Sequence, residues 1–344
     1  MAGVRTAQTV LGPVPTAELG RVLVHEHLLA LTPGPWLAGA RGDDDAAHAA
    51  DQVERAVAAL AGVREDGFGT VVDLSPYGVV GRDEDGKNVV WLQEISRRTG
   101  LHVVTGTAVY LEAFSPRWAV EASLDDMTAR FVRDATGGVA GTGVRAGVLG
   151  EQATGLGVVT LHEEKCLRAA ARAHAETGLA LMTHTTHGTM ALEQVRILRS
   201  EGADLDRVVV GHMDTHPETD YVRRVLDTGV RVAFDTVGKQ LWDFRVEPLP
   251  ARLPDGPMVK DAYHRADATR AARIAALVAD GWAERIVLAH DLTGEEVYLN
   301  PQTHGRWGYR YLAGPFCDLL RAHGVTDEQI DLMLRRTPQE ILGV

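Results

Sequence analysis

Cysteine and lysine are both scarce in this chain. Its 344 residues include two cysteines, Cys166 and Cys317, which lie in stretches that read as helices and are far apart in sequence. That spacing argues against a disulfide framework and leaves both as small buried hydrophobes. Lys87, Lys165, Lys239 and Lys260 are the only lysines, so basic charge comes mostly from arginine. The formal net charge of −12 argues against a surface for nucleic acid or anionic membrane. No run approaches the roughly 18 apolar residues of a membrane span. The opening MAGVRTAQTVLGPVPTAELG lacks the apolar core of a signal peptide, so a cytoplasmic protein is expected. No GxGxxG follows the first predicted strand, which leaves a dinucleotide-binding, doubly wound sheet without support.

What is present is ordinary in bulk and ordered in detail. Hydrophobic residues make up 45% and charged residues 24%, as in a globular protein with a substantial core. Residues 6–20 read as a hairpin lead-in with Gly12, Pro13 and Pro15 at turns. Short apolar runs then predict strands at 21–25, 70–74, 102–107, 144–150, 180–184, 207–212, 230–235 and 285–290. Helices are predicted between them, at 46–66, 87–99, 124–134, 161–177, 190–201, 217–228 and 268–280. The first carries Val53, Val57, Leu60 and Ala61 as a buried stripe. Further helices are expected from near Ala313 and over 327–335, ahead of a terminal TPQEILGV. Gly67, Gly100, Gly178, Gly202, Gly229 and Gly281 stand where C-cap glycines belong. Strict alternation means parallel pairing. Eight units of it predict an α/β fold closed as a (β/α)8 TIM barrel, one domain over residues 1–344.

The chemistry sits at the carboxyl ends of those runs, where barrels of this kind build their active sites. His25 and His27 occur in RVLVHEHLLA, Glu151 in VLGEQATG, His184 in LALMTHTTHG, His212 in RVVVGHMDTH and Asp291 in RIVLAHDLTG. Period-two geometry puts His25 and His27 on one face. Each residue alone has a plainer reading. His184 and His212 suit capping or core histidines, Asp291 a helix N-cap, and Glu151 a carboxylate paired with arginine. Together, strands one, four, five, six and eight each deliver a ligand type at the same end. Four imidazoles and two carboxylates complete two divalent-metal sites if one carboxylate bridges. That donor set suits Zn2+, Mn2+, Co2+ or Fe2+, with zinc the first expectation. His290 is expected to face away from Asp291 and orient a neighbouring helix. His187 and His216 follow the ligand strands and are candidate contacts around the metals or the substrate.

At this point the chain resembles the phosphotriesterase family of the amidohydrolase superfamily. The likeness rests on VHEH, TGTAVY, GVRAGVLGE, THT, GHMDTHP, FDTVGK and the final HD, in that order over nearly the whole chain. The resemblance implies two divalent metals, with His25, His27 and Asp291 on the more buried ion and His184 and His212 on the more exposed one. Well-known members bridge the metals with a carboxylated lysine at the end of strand four. Here that position is Gly150, and Glu151 follows it. A branch of homologues that the chain resembles uses glutamate there, and on that basis the bridge is assigned to Glu151. Near FDTVGK, after strand seven, the lactonase branch has an arginine, which this chain replaces with Thr236. The resemblance also implies a homodimer.

Paired metals acidify a shared water and yield a bridging hydroxide near neutral pH. Asp291 is then the proton carrier, with His212 or His187 relaying outward, and Tyr110 stands near the substrate oxygen or forms an aromatic lid. The expected activity is hydrolysis of a small ester, a lactone first. Phosphotriester and N-acyl amide hydrolysis are alternatives, as is a ligand-binding barrel that has lost turnover. The expected partner is a small-molecule substrate. The connection 236–269 carries Lys239, Trp242, Arg245, Lys260, Tyr263 and Arg265, and the stretch after strand eight carries Tyr298, Arg306, Trp307, Tyr309 and Tyr311. Lys239 is the leading candidate for an anionic or sugar-like substrate because it is nearest the strand-seven mouth.

Overall fold

A computed structural model describes residues 4–29, 45–239, 266–293 and 308–344, with short strand pairs between 244 and 264. Strands β1 (Thr6–Thr9) and β2 (Gly12–Pro15) form the expected antiparallel hairpin. Eight strands follow: β3 (Arg21–Glu26), β4 (Phe68–Asp73), β5 (His102–Thr105), β6 (Leu149–Thr154), β7 (Leu181–Thr185), β8 (Val208–Val210), β9 (Arg231–Phe234) and, after the insertion described below, Ile286–Leu288. They pair in parallel as a three-stranded and a five-stranded set. Single parallel bridges, Gly106 to Val148 and His27 to Thr293, join the sets at both seams. The result is a (β/α)8 barrel whose two sheets meet through single bridges rather than ladders.

Helices α1 (Asp45–Ala59), α2 (Trp91–Thr99), α3 (Arg117–Glu121), α4 (Leu124–Thr136), α5 (Leu161–Thr177), α6 (Ala191–Ser200), α7 (Thr219–Leu226) and α8 (Asp267–Ala279) lie along the chain between strands. The signals that start and stop them are local. A capping box of Thr160 and Glu163 opens α5, and Gly178, in the left-handed region, closes it. Among the described residues no helix is long and apolar enough to cross a membrane.

Alternation along each strand sorts the core into two layers. Val22, Val24, Val72, Val104, Val148, Met182, Val209, Ala233 and Val287 fill the barrel. Leu23, Val71, Val103, Leu149, Leu181, Val210, Phe234 and Leu288 face the helices. Leu19, Ile341 and Leu342 join the inner cluster and floor the barrel. Cys166 and Cys317 are buried and free.

The structure corrects the sequence expectations in four places. Strand four was expected over 144–150, but the ladder runs over Leu149–Thr154 and places Glu151 inside the strand. The apolar Val144–Val148 run makes only the seam bridge to β5. The terminal TPQEILGV forms a helix over Thr337–Leu342, with Pro338 in its first turn, where the missing N–H costs nothing. The connection after β9 carries strand pairs β10 (Phe244–Val246) with β13 (Ala262–His264), and β11 (Arg252–Leu253) with β12 (Gly256–Pro257). The barrel strand Ile286–Leu288 is therefore β14. Finally, Tyr309 and Tyr311 pack into the structure. Tyr309 is buried and its hydroxyl donates to the carbonyls of His27 and Leu292 (3.2 and 3.1 Å). Tyr311 lies against Gly238.

Candidate metal centre

Two irregularities aim the ligands. In β3 the ladder slips between Leu23 and Glu26, and in β6 between Leu149 and Gln152. Simple alternation from Val22 and Val24 would turn His25 outward. A bulge inserts the extra residue that re-aims it, so His25 and His27 face the cavity and Glu26 turns away. Strand β7 needs no such device, since His184 follows Met182 in phase. His212 and Asp291 leave their strands with φ of 56° and 54°, a left-handed conformation that non-glycine residues adopt at a cost.

The six expected residues converge. Nε2 of His25 lies 3.4 Å from Glu151 Oε2 and 3.5 Å from Asp291 Oδ1. Nε2 of His27 lies 3.5 Å from Glu151 Oε1 and 3.1 Å from Asp291 Oδ1. On the other side, Glu151 Oε2 lies 3.1 Å from His184 Nδ1 and 3.7 Å from His212 Nε2. Two groups, His25–His27–Glu151 and Glu151–His184–His212, each bring their donor atoms within 4.8 Å of one another. Glu151 belongs to both. His25 Nε2 is buried with no hydrogen-bond partner, which is costly unless something else engages it. Imidazole and carboxylate donors with one shared carboxylate fit a pair of divalent ions.

Gly150, next to Glu151, is packed tightly against β7. A Cβ there would come within 2.7 Å of the Met182 backbone and side chain. A side chain at 150 would therefore press on β7, while Glu151 is the carboxylate that both groups share.

Orientation comes from carboxylates and hydroxyls behind the ligands, as metal-binding imidazoles generally require. Asp235 accepts from Nδ1 of both His25 (2.8 Å) and His212 (2.9 Å), and from the His212 backbone N–H (2.9 Å). Ser75 Oγ lies 3.1 Å from His27 Nδ1. Neither residue was singled out from the sequence. Asp235 was within reach, because it ends the seventh apolar run just as the ligands end theirs. Ser75 gave no signal.

The buried charges of the site shift one another's titration. Burial opposes charge on His25, yet Glu151 and Asp235 carry its pKa well above the usual value. The same contest raises His212 to about 10, burial pulling it down and Asp235 chiefly lifting it. Burial and the neighbouring His212 push His184 down. His212 Nε2 and His184 Nδ1 lie 2.8 Å apart. Burial pushes the carboxyl of Glu151 upward, but His25 and the other imidazoles hold it well below the carboxylate range. For Asp291 burial is outweighed first by the Lys239 ammonium, 2.6 Å from Oδ2.

A cavity of about 190 Å3 opens beside these groups, lined by His27, Val80, Tyr110, Glu151, His184, Lys239, Asp291 and Thr293. The Tyr110 hydroxyl is 3.3 Å from His184 Nε2. Burial and the charges of Glu151 and Asp291 raise its pKa well above the usual phenol value. His187 is half-buried in the turn after β7 and is not among the lining residues. His216 stacks on Tyr221 with ring centres 4.0 Å apart. His290 faces away, as expected, and its Nε2 accepts from the Leu312 N–H (3.1 Å). Trp242, Lys260, Arg265, Tyr298, Arg306 and Trp307 lie outside the described residues, as do the side chains of Arg245 and Tyr263.

Known proteins resemble the chain over most or all of its length. A phosphotriesterase homology protein of Escherichia coli is 33% identical over 74% of this chain and 79% of its own length. An aryldialkylphosphatase of Saccharolobus solfataricus is 26% identical over 96% of this chain and 97% of its own. Among solved structures, a mutant of a phosphotriesterase-like lactonase from Deinococcus radiodurans superposes with a TM-score of 0.81 at 29% identity. That match covers 98% of this chain and all of the other. The model of the phosphotriesterase family matches residues 5–342, and the chain belongs to that family.

Proposed function

We propose that this protein is a two-metal hydrolase of a small ester, a lactone in the first instance. The observation that carries the reading is Glu151, shared between two ligand groups at the edge of a small cavity. In this reading His25, His27 and Asp291 hold the more buried ion, His184 and His212 the more exposed one, and Glu151 bridges them. Zinc is the first candidate for both. Bound there, the ions would supply an acidified water as nucleophile and a Lewis acid for the substrate oxygen.

The chain's own residues do the rest. Asp291 takes the proton of the attacking water on its carboxylate and delivers it to the leaving oxygen. Its Oδ2 is held by Lys239, which lowers its hold on a proton. A substrate with its own negative charge draws Lys239 away and leaves Asp291 the stronger base. Tyr110 donates its hydroxyl toward the substrate oxygen, and His212 carries protons outward. The cavity is smaller than the roughly 300 Å3 at which typical ligand pockets begin, which favours a compact substrate. Phosphotriester hydrolysis is the second reading, favoured by the Saccharolobus relative. A homodimer belongs to the proposal on family grounds.

The test is elemental mass spectrometry of the purified protein before and after chelation, coupled to a panel of lactones, phosphotriesters and N-acyl amides. About two metals per chain, with chelator-sensitive lactone hydrolysis, is the expected result. Chelator-sensitive activity on phosphotriesters or amides alone would replace the substrate class. Neither metal nor activity after adding Zn2+, Mn2+ or Co2+ would leave a binding barrel. Glu151→Ala should lose both metal and activity; a fully active variant with two metals would remove the bridge.

A further inference from the structure

Between the two histidines of the first barrel strand stands Glu26, completely buried and turned away from the cavity. An ionisable carboxyl in that position is costly unless several donors satisfy it. Three do. Oε1 accepts from the His290 backbone N–H (3.0 Å) and lies 2.8 Å from His290 Nδ1. Oε2 accepts from the Leu292 N–H (3.0 Å). Because His290 Nε2 accepts from Leu312, its proton sits on Nδ1 and points at Glu26. The backbone donors are therefore the residues immediately before and after Asp291.

The barrel seam does not need these bonds for its ladder. Asp291 N–H already donates to the His25 carbonyl (3.0 Å), and His27 N–H to the Leu292 carbonyl (2.8 Å). What the seam does contain is a strained residue, since Asp291 is left-handed with φ of 54°. Such a conformation persists only where its surroundings over-determine it. Relaxed to ordinary backbone angles, Asp291 would no longer hold Oδ1 at 3.1 Å from His27 Nε2.

We propose that Glu26 is a positioning residue for Asp291, gripping the backbone on both sides so that its carboxylate faces His27 and the cavity. The inference deepens the two-metal reading and rests on it only for the metal measurement below. Glu26→Gln is the decisive variant. Its amide offers one acceptor oxygen and sets an N–H against a backbone N–H that now has a partner. In a crystal structure of the metal-free variant, Asp291 is expected to leave the left-handed region or to withdraw from His27. In chelator competition with Zn2+, one ion is expected to bind about tenfold more weakly, as when partners behind metal ligands are lost, while the other stays within about twofold. If Glu26→Gln does not fold, Glu26→Asp keeps the charge but cannot reach both N–H groups, and the same displacement is expected. An unmoved Asp291, or equal weakening of both ions, overturns the proposal. Absence of Zn2+ binding by the unaltered protein would instead count against the proposed function, and the crystal comparison would still decide the role of Glu26.

Discussion

One carboxylate, Asp235, holds two imidazoles by their Nδ1 atoms and so points both Nε2 atoms at Glu151. An asparagine has a single acceptor oxygen, so Asp235→Asn leaves one ring facing an amide N–H. That ring then turns or changes tautomer. Partners of this kind are worth roughly 10- to 100-fold in metal affinity, and a loss in that range is expected for Zn2+ by chelator competition. Unchanged affinity would mean that the rings are held by packing alone. Lys239 presents the opposite case, a cation placed on a carboxylate that must accept a proton. Lys239→Met removes the strongest of the influences that keep Asp291 ionised against its burial. The pKa of Asp291 should rise, and the acid limb of the rate profile should move to higher pH. Losing a charged hydrogen bond costs about 1.5–3 kcal/mol. Hydrolysis of an anionic lactone should therefore fall by an order of magnitude or more in kcat/KM, with a neutral lactone spared. Equal loss on both would assign Lys239 to Asp291 alone.

At the scale of elements, β5 and β6 approach each other across a seam held by a single bridge, and glycine makes that approach possible. A Cβ at Gly106 would stand 2.0 Å from the Gly150 carbonyl oxygen, so neither backbone can stay where it is. Gly106→Ala should destabilise the protein by at least the ~1–3 kcal/mol typical of overpacking. It should also lower Zn2+ affinity, because the displaced strand carries Glu151. Gly314→Ala, whose Cβ meets open space, is the control and should stay within about 0.5 kcal/mol. The same seam shows what could be read in advance. Strands buried on both faces announce themselves as apolar runs, and the ligand types at their ends announced the site. Strand four escaped because its ladder is LGEQAT, polar for the sake of the site, while the apolar stretch before it is an approach segment. The bulges before His25 and Glu151 were invisible for a different reason. Alternation fixes which residues share a face only within an unbroken strand, and no residue type at 24–25 marks the slip. Helix Thr337–Leu342 was hidden by its proline, and Glu26 by standing between two residues that explained the motif without it.

Across the whole molecule these local charges become a linkage between pH, metal and stability. Metal-free, the site stores protons on imidazoles: His212 is raised to about 10 and His25 also lies above the ordinary range. An unfolded histidine titrates near 6.5. A folded pKa above the unfolded one contributes stability that is complete below about 6.5 and is lost as pH rises toward the folded value. The metal-free protein should therefore lose stability between neutral pH and about 10. Metal binding runs the other way, since each ion must displace those protons and binds more tightly as they leave. Ligand held by the folded state alone stabilises it by about 2.7 kcal/mol at a hundredfold excess over Kd, and Kd falls as pH rises. Thermal unfolding of chelated and Zn2+-loaded protein, compared from pH 7 to 9, should show the gap in Tm widening with pH. A gap that is constant or narrowing would mean that the imidazoles are already unprotonated in the empty site. The carboxylates would then be balanced by something other than the stored protons from which the metal reading takes its charge.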